Sequence, residues 1–146
     1  MQKLVLLAAA ALAALLAALP CTQALAAPLS DADVGEIRAV IARQIEAFRH
    51  GDADEAFVLA SPRIRSAFRT PEKFMRDVRT SFAPIARSVS AAFGAVLILD
   101  DEVVQQVKLT DRSSRIWRAY YPMQRQRDGT WRANGCQLVR EAALSV

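Results

Sequence analysis

Few side chains in this 146-residue chain are suited to catalysis or metal binding. It contains two cysteines, Cys21 and Cys136, and one histidine, His50. A zinc site and a Cys–His dyad lack parts because there is no Cys/His cluster, and any Ser-His-Asp triad would have to use His50. That histidine lies in "FRHGD", a sequence typical of a helix end, where it interacts favourably with the C-terminal carbonyls. We therefore predict no metal, no cofactor and no catalytic residue.

The acidic residues are also poorly placed for catalysis. Proton transfer inside a cavity needs a carboxylate or a histidine in apolar surroundings. Most acids here fall at predicted caps, turns or exposed helix positions, namely Asp31, Asp33, Asp52, Glu55, Asp100, Asp101, Asp111 and Asp128. Tyr120, Tyr121 and Cys136 remain, and none has an evident activating partner. An enzymatic function is therefore less favoured than a binding or a structural one.

Residues 1–26 have the pattern of a secretory signal peptide. Lys3 supplies the positive charge, an uncharged run from Leu4 to Leu19 follows, and Ala24-Leu25-Ala26 is a small-residue cleavage motif. Cleavage after Ala26 leaves 146 − 26 = 120 residues, the size of one domain. We expect a single exported domain over residues 27–146, periplasmic in a Gram-negative bacterium and otherwise secreted.

Two alternatives to cleavage stay open. The apolar run could be retained as a membrane anchor, although it is short for a membrane-spanning helix. Cys21 could be lipidated, although Pro20 stands where lipoprotein signals have a small residue. After cleavage Cys136 is the one cysteine left, so an intramolecular disulfide is impossible. An intermolecular disulfide is then the alternative to a buried thiol.

The charge balance argues against a nucleic acid partner. Without Lys3 the chain keeps 19 − 1 = 18 basic residues against 15 acidic ones, a mild and evenly mixed excess. The apolar fraction of 53% is inflated by the leader, so we expect no membrane association after its removal. One local excess of arginine runs from Pro62 to Thr80. It fits a solvated helical face or, less well, a patch for anions or a membrane surface.

Hydrophobic periodicity predicts three main helices in the first half of the domain. Ser30 begins a capping-box variant, apolar residues then recur at helical spacing as far as Phe48, and Gly51 ends the helix. A second helix follows Asp52 and stops at Ser61-Pro62, and a short helical turn carries Ile64 and Phe68. The third opens at Thr70-Pro71-Glu72 and has a buried stripe of Phe74, Val78 and Phe82.

Alternating patterns after Pro84 predict four strands over residues 93–99, 103–109, 116–124 and 130–138. The links between them are short, and Asp128-Gly129 is a strong hairpin signal. We therefore expect an antiparallel meander, and an α+β domain in which the helices pack on one face of a curved sheet. In the last strand a bulge at Asn134-Gly135 would place Cys136 on the same inner face as Trp131 and Ala133. Cys136 would then be a small buried residue.

The chain resembles domain-of-unknown-function family 4864 from about Ile37 to Leu138. The most specific pieces are "AFRHGDADEAF", "ASPRIRSAFRTPEKF" and "DGTWRANGC". Two departures, Ala133 for an aliphatic residue and Ser113-Ser114 for a glycine turn, leave the resemblance intact. The family is similar in layout to the nuclear transport factor 2-like cone, three helices wrapped by a curved antiparallel sheet. The resemblance therefore implies a hollow between helices and sheet, and it implies no activity.

Three functions fit such a cone. The first is a non-catalytic binding module for a small apolar molecule, with the candidate ligand-binding residues Gln105, Trp117, Tyr121, Met123, Trp131, Phe74 and Phe82. The same aromatic residues could instead fill the core. The second is a homodimeric interaction protein that uses the open sheet face, with Arg118, Tyr120, Gln124 and Arg132. The third, less favoured, is an enzyme of the cone-fold class.

Overall fold

A computed structural model describes residues 28–142, where five helices precede five strands. The helices are α1 (Asp31–His50), α2 (Ala53–Val58), α3 (Pro62–Phe68), α4 (Pro71–Ser81) and α5 (Ala83–Ala86). The strands are β1 (Ser88–Leu99), β2 (Glu102–Asp111), β3 (Ile116–Arg125), β4 (Trp131–Ala133) and β5 (Gln137–Arg140). The α+β class is confirmed. The predicted signal peptide and Cys21 lie outside the described residues.

The helix starts follow from capping side chains. The Ser30 hydroxyl accepts a hydrogen bond from the Asp33 amide, and the Asp33 carboxylate accepts one from the Ser30 amide, which completes a capping box at α1. Asp52, Ser61 and Thr70 cap α2, α3 and α4 in the same way, each by accepting a backbone N–H three residues on. The structure has five helices where the sequence predicted three main ones. The predicted short turn at Ile64 and Phe68 is the helix α3, and the one-turn α5 has too short an apolar pattern to be recognised.

The sheet is antiparallel, in the order β1-β2-β3-β4, with β5 also paired to β3. Strand β1 begins five residues before the predicted start at Phe93. Residues 89–92 are exposed, so they lack the apolar alternation by which a half-buried strand is recognised. Asp100 and Asp101, in the β1–β2 turn, both have positive φ, of 48° and 64°. At Asp128-Gly129 only Gly129 has a positive φ, of 88°.

The predicted bulge in the last strand is confirmed. Met123 on β3 faces Ala133 on β4, and Tyr120 faces Gln137 on β5. Between these two pairs β3 advances by three residues and the opposing chain by four, so one residue is extra. Gly135 lies there with φ of 141°, a conformation that favours glycine. The bulge divides the predicted strand into β4 and β5 and places Cys136 on the face that carries Tyr121.

The helices cover the inner face of the sheet and form one hydrophobic core with it. From α1 and α4 the core takes buried Ile37, Ile41, Ile45, Phe48, Phe74, Met75 and Val78. From the sheet it takes Val107, Leu109, Ala119, Tyr121, Met123, Trp131 and Ala133. Within residues 28–142, no helix is both long enough and apolar enough to cross a membrane.

Candidate functional site

A cavity of about 230 Å³ lies inside the domain, between the helices and the bulged end of the sheet. Helices α1, α3, α4 and α5 supply most of its wall, and β3 and the β4–β5 segment supply the rest. Its lining consists of Gln44, Phe48, Ala60, Ile64, Phe68, Phe74, Asp77, Val78, Phe82, Ile85, Tyr121, Ala133, Gly135 and Cys136. The lining is therefore overwhelmingly apolar and rich in aromatic rings, as ligand pockets usually are.

The cavity has a buried floor and a more exposed rim. Phe74 anchors one wall, with its ring centroid 5.7 Å from that of Phe48 and 5.2 Å from that of Phe68. These tilted and edge-on contacts are the favourable geometries for aromatic pairs, so they fix the rings that bound the cavity. On the rim, Phe82 is half-buried and Asp77 is exposed. A molecule would therefore enter past the rim towards the aromatic floor.

Tyr121 brings the cavity its most unusual polar group. The residue is 2% exposed, and its hydroxyl has no hydrogen-bond partner among the described residues. Burial raises the pKa of Tyr121 well above its usual value, and the nearby Cys136 thiol raises it further. That thiol is close enough to affect the pKa of Tyr121, but the pair lacks the geometry of a hydrogen bond. The phenol therefore stays protonated and keeps an unpaired O–H donor in the wall of the cavity.

Cys136 is half-buried beside Tyr121 and also lines the cavity. Burial raises its pKa to about 12, and this outweighs the opposite effects of the Tyr121 hydroxyl and the Tyr120 backbone. The thiol is therefore neutral at physiological pH, and a neutral thiol is a poor nucleophile. The inward orientation predicted for Cys136 is confirmed, although the residue lines a cavity instead of filling the core.

A clamp made by the α2–α3 junction holds the bulge in place. The Ser61 amide donates to the Ala133 carbonyl at 2.8 Å, and the Ala133 amide donates to the Leu59 carbonyl at 3.0 Å. The Ser61 hydroxyl donates to Asn134 Oδ1 at 2.8 Å, and Arg63 Nη2 donates to the Asn134 carbonyl at 2.7 Å. The pieces "ASPRIR" and "ANGC" are therefore in contact, and together they position Cys136.

Three of the seven candidate ligand-binding residues, Phe74, Phe82 and Tyr121, line the cavity. The other four, Gln105, Trp117, Met123 and Trp131, do not. Sequence reasoning did not assign Phe48, Ile64, Phe68 or Ile85 to a site, although the first three were recognised as apolar helix residues. Helical spacing indicated that Phe48 faces inwards, but such spacing carries no information on which inward residues border an open volume.

Gln105 is fully buried and supports strand β1 instead of the cavity. Its Oε1 accepts from Arg38 Nε at 3.3 Å, and its Nε2 donates to the Gly94 carbonyl at 3.0 Å. The register of β1 shifts by one residue between Phe93 and Val96, so carbonyls at this bulge need partners from outside the ladder. The amide of Gln105 supplies one. Met123 is 4% exposed, faces Ala133 in the sheet and belongs to the packed core.

Trp131 joins strand β4 to the first turn of α1. Its indole Nε1 donates to Asp33 Oδ1 at 3.1 Å, and its amide donates to Glu36 Oε1 at 3.1 Å. The hydroxyl of Ser30, the indole of Trp131 and the Ser30 amide, in that order, lower the pKa of Asp33 to about 2. Arg125 lies over the indole ring at 5.9 Å. All polar groups of this tryptophan are engaged, so its role is structural.

Trp117 lies near the opposite end of β3 and is also pinned by a carboxylate. Its Nε1 donates to Asp111 Oδ2 at 3.2 Å, and the Arg115 amide and Nε donate to the same carboxylate. Burial opposes ionisation of Asp111, but these hydrogen bonds outweigh it and lower its pKa to about 2. Trp117 is half-buried. It closes the β2–β3 hairpin.

The buried floor of the cavity offers apolar contact and neutral hydrogen bonding, and Asp77 on the rim is the one charged lining residue within residues 28–142. In the part of the chain described by the structure, no group of three or more His, Cys, Asp or Glu residues could hold a metal ion. On the outer sheet face, Arg118 forms an ion pair with Glu141, and Arg132 Nη1 donates to the Trp131 carbonyl at 2.8 Å. The cavity is therefore the best-formed candidate site in residues 28–142.

Comparison with known proteins identifies a family. No curated protein and no solved structure matches the chain. The likeness to the nuclear transport factor 2-like cone therefore stays a prediction. The profile of a family described as a domain of unknown function (DUF4864) matches residues 30–146. This range includes the capping box, the α2–α3 clamp and the bulge. The chain belongs to the DUF4864 family.

Proposed function

We propose that this protein is an exported, non-catalytic binding module that holds a small, largely apolar molecule in the cavity. The observation that carries the proposal is an apolar volume of about 230 Å³ beside a buried, unpartnered hydroxyl. An engineered apolar cavity of about 150 Å³ binds benzene. A volume of 230 Å³ is therefore suited to a single ring with a short substituent, or to a chain of similar bulk. The pattern of residues 1–26 supports export.

The alternative, that these aromatic residues only fill the core, fits the packing less well. Protein interiors are close-packed and contain few voids larger than a water molecule. Here Phe48 and Phe74 pack on one another with ring centroids 5.7 Å apart, yet together with Phe82 they still border an open volume. An apolar occupant would recover dispersion contacts that the lining residues lack. Binding would therefore stabilise the fold.

The test uses thermal unfolding with isopropylbenzene as the probe, on wild type and on Val78→Phe. Val78 is 7% exposed and lines the cavity, so a larger ring there occupies the ligand volume. We expect the probe to raise the wild-type melting temperature and to leave that of Val78→Phe unchanged. The matched control is Val107→Phe, at a core position away from the cavity, where overpacking should cost about 1–3 kcal/mol. If isopropylbenzene left the melting temperature of the wild type unchanged, the proposal would be contradicted.

A homodimer is the second candidate, and one observation favours it. Strand β1 is a sheet edge of 12 residues, and its Val89, Ile98 and Leu99 side chains are 58%, 59% and 50% exposed. A long apolar edge is a template for pairing with another chain. Arg118 and Tyr120, on the open face of β3, lie one strand further in, across β2. Light scattering over a range of concentrations distinguishes a dimer from a monomer, and Ile98→Lys should abolish the dimer.

A further inference from the structure

We infer that the ligand of the cavity is an uncharged molecule with one oxygen acceptor, which receives the Tyr121 hydroxyl on the wall next to Cys136. This inference rests on the proposed binding function and specifies the chemical class of the ligand. The acceptor belongs to the class of carbonyl, ether and alcohol oxygens. The remainder of the molecule is apolar and has the bulk of one ring with a short substituent.

The first step is the unpartnered hydroxyl. Tyr121 is 2% exposed, lines the cavity and leaves its hydroxyl without a hydrogen-bond partner among residues 28–142. Buried polar groups are nearly always paired, since an unpaired one retains its desolvation cost. Phenylalanine would fill almost the same space without that cost. A buried, unpaired donor on a residue of the cavity wall is therefore explained by an acceptor that the cavity receives.

The second step is the charge of the lining. Among the described residues, no Lys, Arg or His lines the cavity, and Asp77 is the one charged side chain there. A carboxylate ligand would lose its hydration without gaining a cation, and Asp77 would repel it. A cationic ligand could approach Asp77, but that side chain is exposed, so water screens its charge. Both charged classes are therefore disfavoured against a neutral acceptor.

The third step concerns Cys136. Its thiol lies beside the Tyr121 hydroxyl, and burial keeps it protonated, with a pKa of about 12. A thiolate at this position would compete with a ligand as the acceptor for the hydroxyl. A neutral thiol is only a weak acceptor, so it leaves the Tyr121 proton available. The polar end of the cavity therefore offers one strong donor and no formal charge.

Four aromatic probes with the same number of non-hydrogen atoms separate these classes. They are isopropylbenzene, acetophenone, benzoate and benzamidine, which are apolar, neutral acceptor, anion and cation in turn. Protein NMR titrations of the mature chain give the dissociation constants. The variants are Tyr121→Phe, which removes only the hydroxyl, and Tyr120→Phe as its matched control. Tyr120 is half-buried, neighbours Tyr121 in β3 and does not line the cavity.

We expect Tyr121→Phe to fold and to weaken acetophenone binding about fivefold, the value of one neutral hydrogen bond, while isopropylbenzene binding changes less than about twofold. Tyr120→Phe should alter neither. Benzoate and benzamidine should bind more weakly than acetophenone to the wild type. Equal effects of Tyr121→Phe on both neutral probes, or tighter binding of a charged probe, would overturn the inference and leave apolar binding intact. Failure of isopropylbenzene itself to bind would instead reject the proposed function.

Discussion

The aromatic residues at the two ends of strand β3 differ from the one in its middle in how their polar groups are hydrogen-bonded. At one end the Trp117 indole donates to Asp111, and at the other the Trp131 indole of the paired strand β4 donates to Asp33. Between them, Tyr121 lines the cavity, and its hydroxyl has no partner in the described chain. The tryptophans at the two ends therefore hold the fold together, and the tyrosine in the middle keeps an unpaired hydroxyl donor. The two tryptophans bond their polar groups within the fold, and the proposed binding function depends on Tyr121, which does not.

Replacement of Trp131 should give the largest loss in the free energy of unfolding. Trp131 is 4% exposed, and its indole joins β4 to α1 through a hydrogen bond to Asp33. We expect Trp131→Ala to lower the free energy of unfolding by about 3–5 kcal/mol, as for other large buried aromatic residues. Urea denaturation measures the loss. Trp131→Phe, which keeps most of the ring, should lose less, and a cost below about 2 kcal/mol for Trp131→Ala would contradict a structural role.

Trp117→Ala should cost less, about 1–2 kcal/mol, because the side chain is half-buried and loses one hydrogen bond to Asp111. A tryptophan packed in the core would cost about 3–5 kcal/mol, and one that lines the cavity would cost less but weaken ligand binding. Since Trp117 lies outside the cavity, we expect the smaller loss with unchanged affinity for isopropylbenzene. If Trp117→Ala lowered that affinity, Trp117 would have to contact the ligand, contrary to this expectation.

The sequence was sufficient for the features that depend on neighbouring residues. The capping box at Ser30, the inner face of β3 and the bulge before Cys136 each follow from residues a few positions apart. The pairing of Trp131 with Asp33 joins residues 98 positions apart, and no local pattern indicates it. The same holds for the clamp between Ser61 and Asn134. Periodicity identifies inward residues, but only the packing of distant segments decides which of them border a cavity.

Acid should weaken the two pinned ends before it affects the cavity. The pKa values of Asp33 and Asp111 are lowered from 3.8 to about 2. A lowered pKa in the folded state contributes stability above pH 3.8, and this contribution is lost as the pH falls towards 2. We expect the melting temperature to fall across that window. Asp111→Asn should flatten the decline, and Asp101→Asn, in an exposed turn, is the control. If Asp111→Asn left the decline in melting temperature unchanged, the Asp111 carboxylate would not be a cause of the acid sensitivity.

We expect the smallest change in stability from substitution of Cys136, which lines the cavity beside Tyr121. Cys136→Ala should cost about 1 kcal/mol, since the residue is half-buried and makes no strong hydrogen bond. Its raised pKa favours the folded state below pH 9, and that contribution is lost as the pH rises through about 12.

In the folded protein the thiol should therefore react slowly with thiol reagents at neutral pH and quickly after denaturation. Isopropylbenzene should slow the folded reaction further, because it occupies the space in front of the thiol. The rival state is an intermolecular disulfide, which an oxidising compartment permits. It would appear as a reducible dimer on non-reducing electrophoresis. That outcome would require Cys136 to turn outwards from Tyr121, and it would remove the neutral polar end on which the ligand class depends.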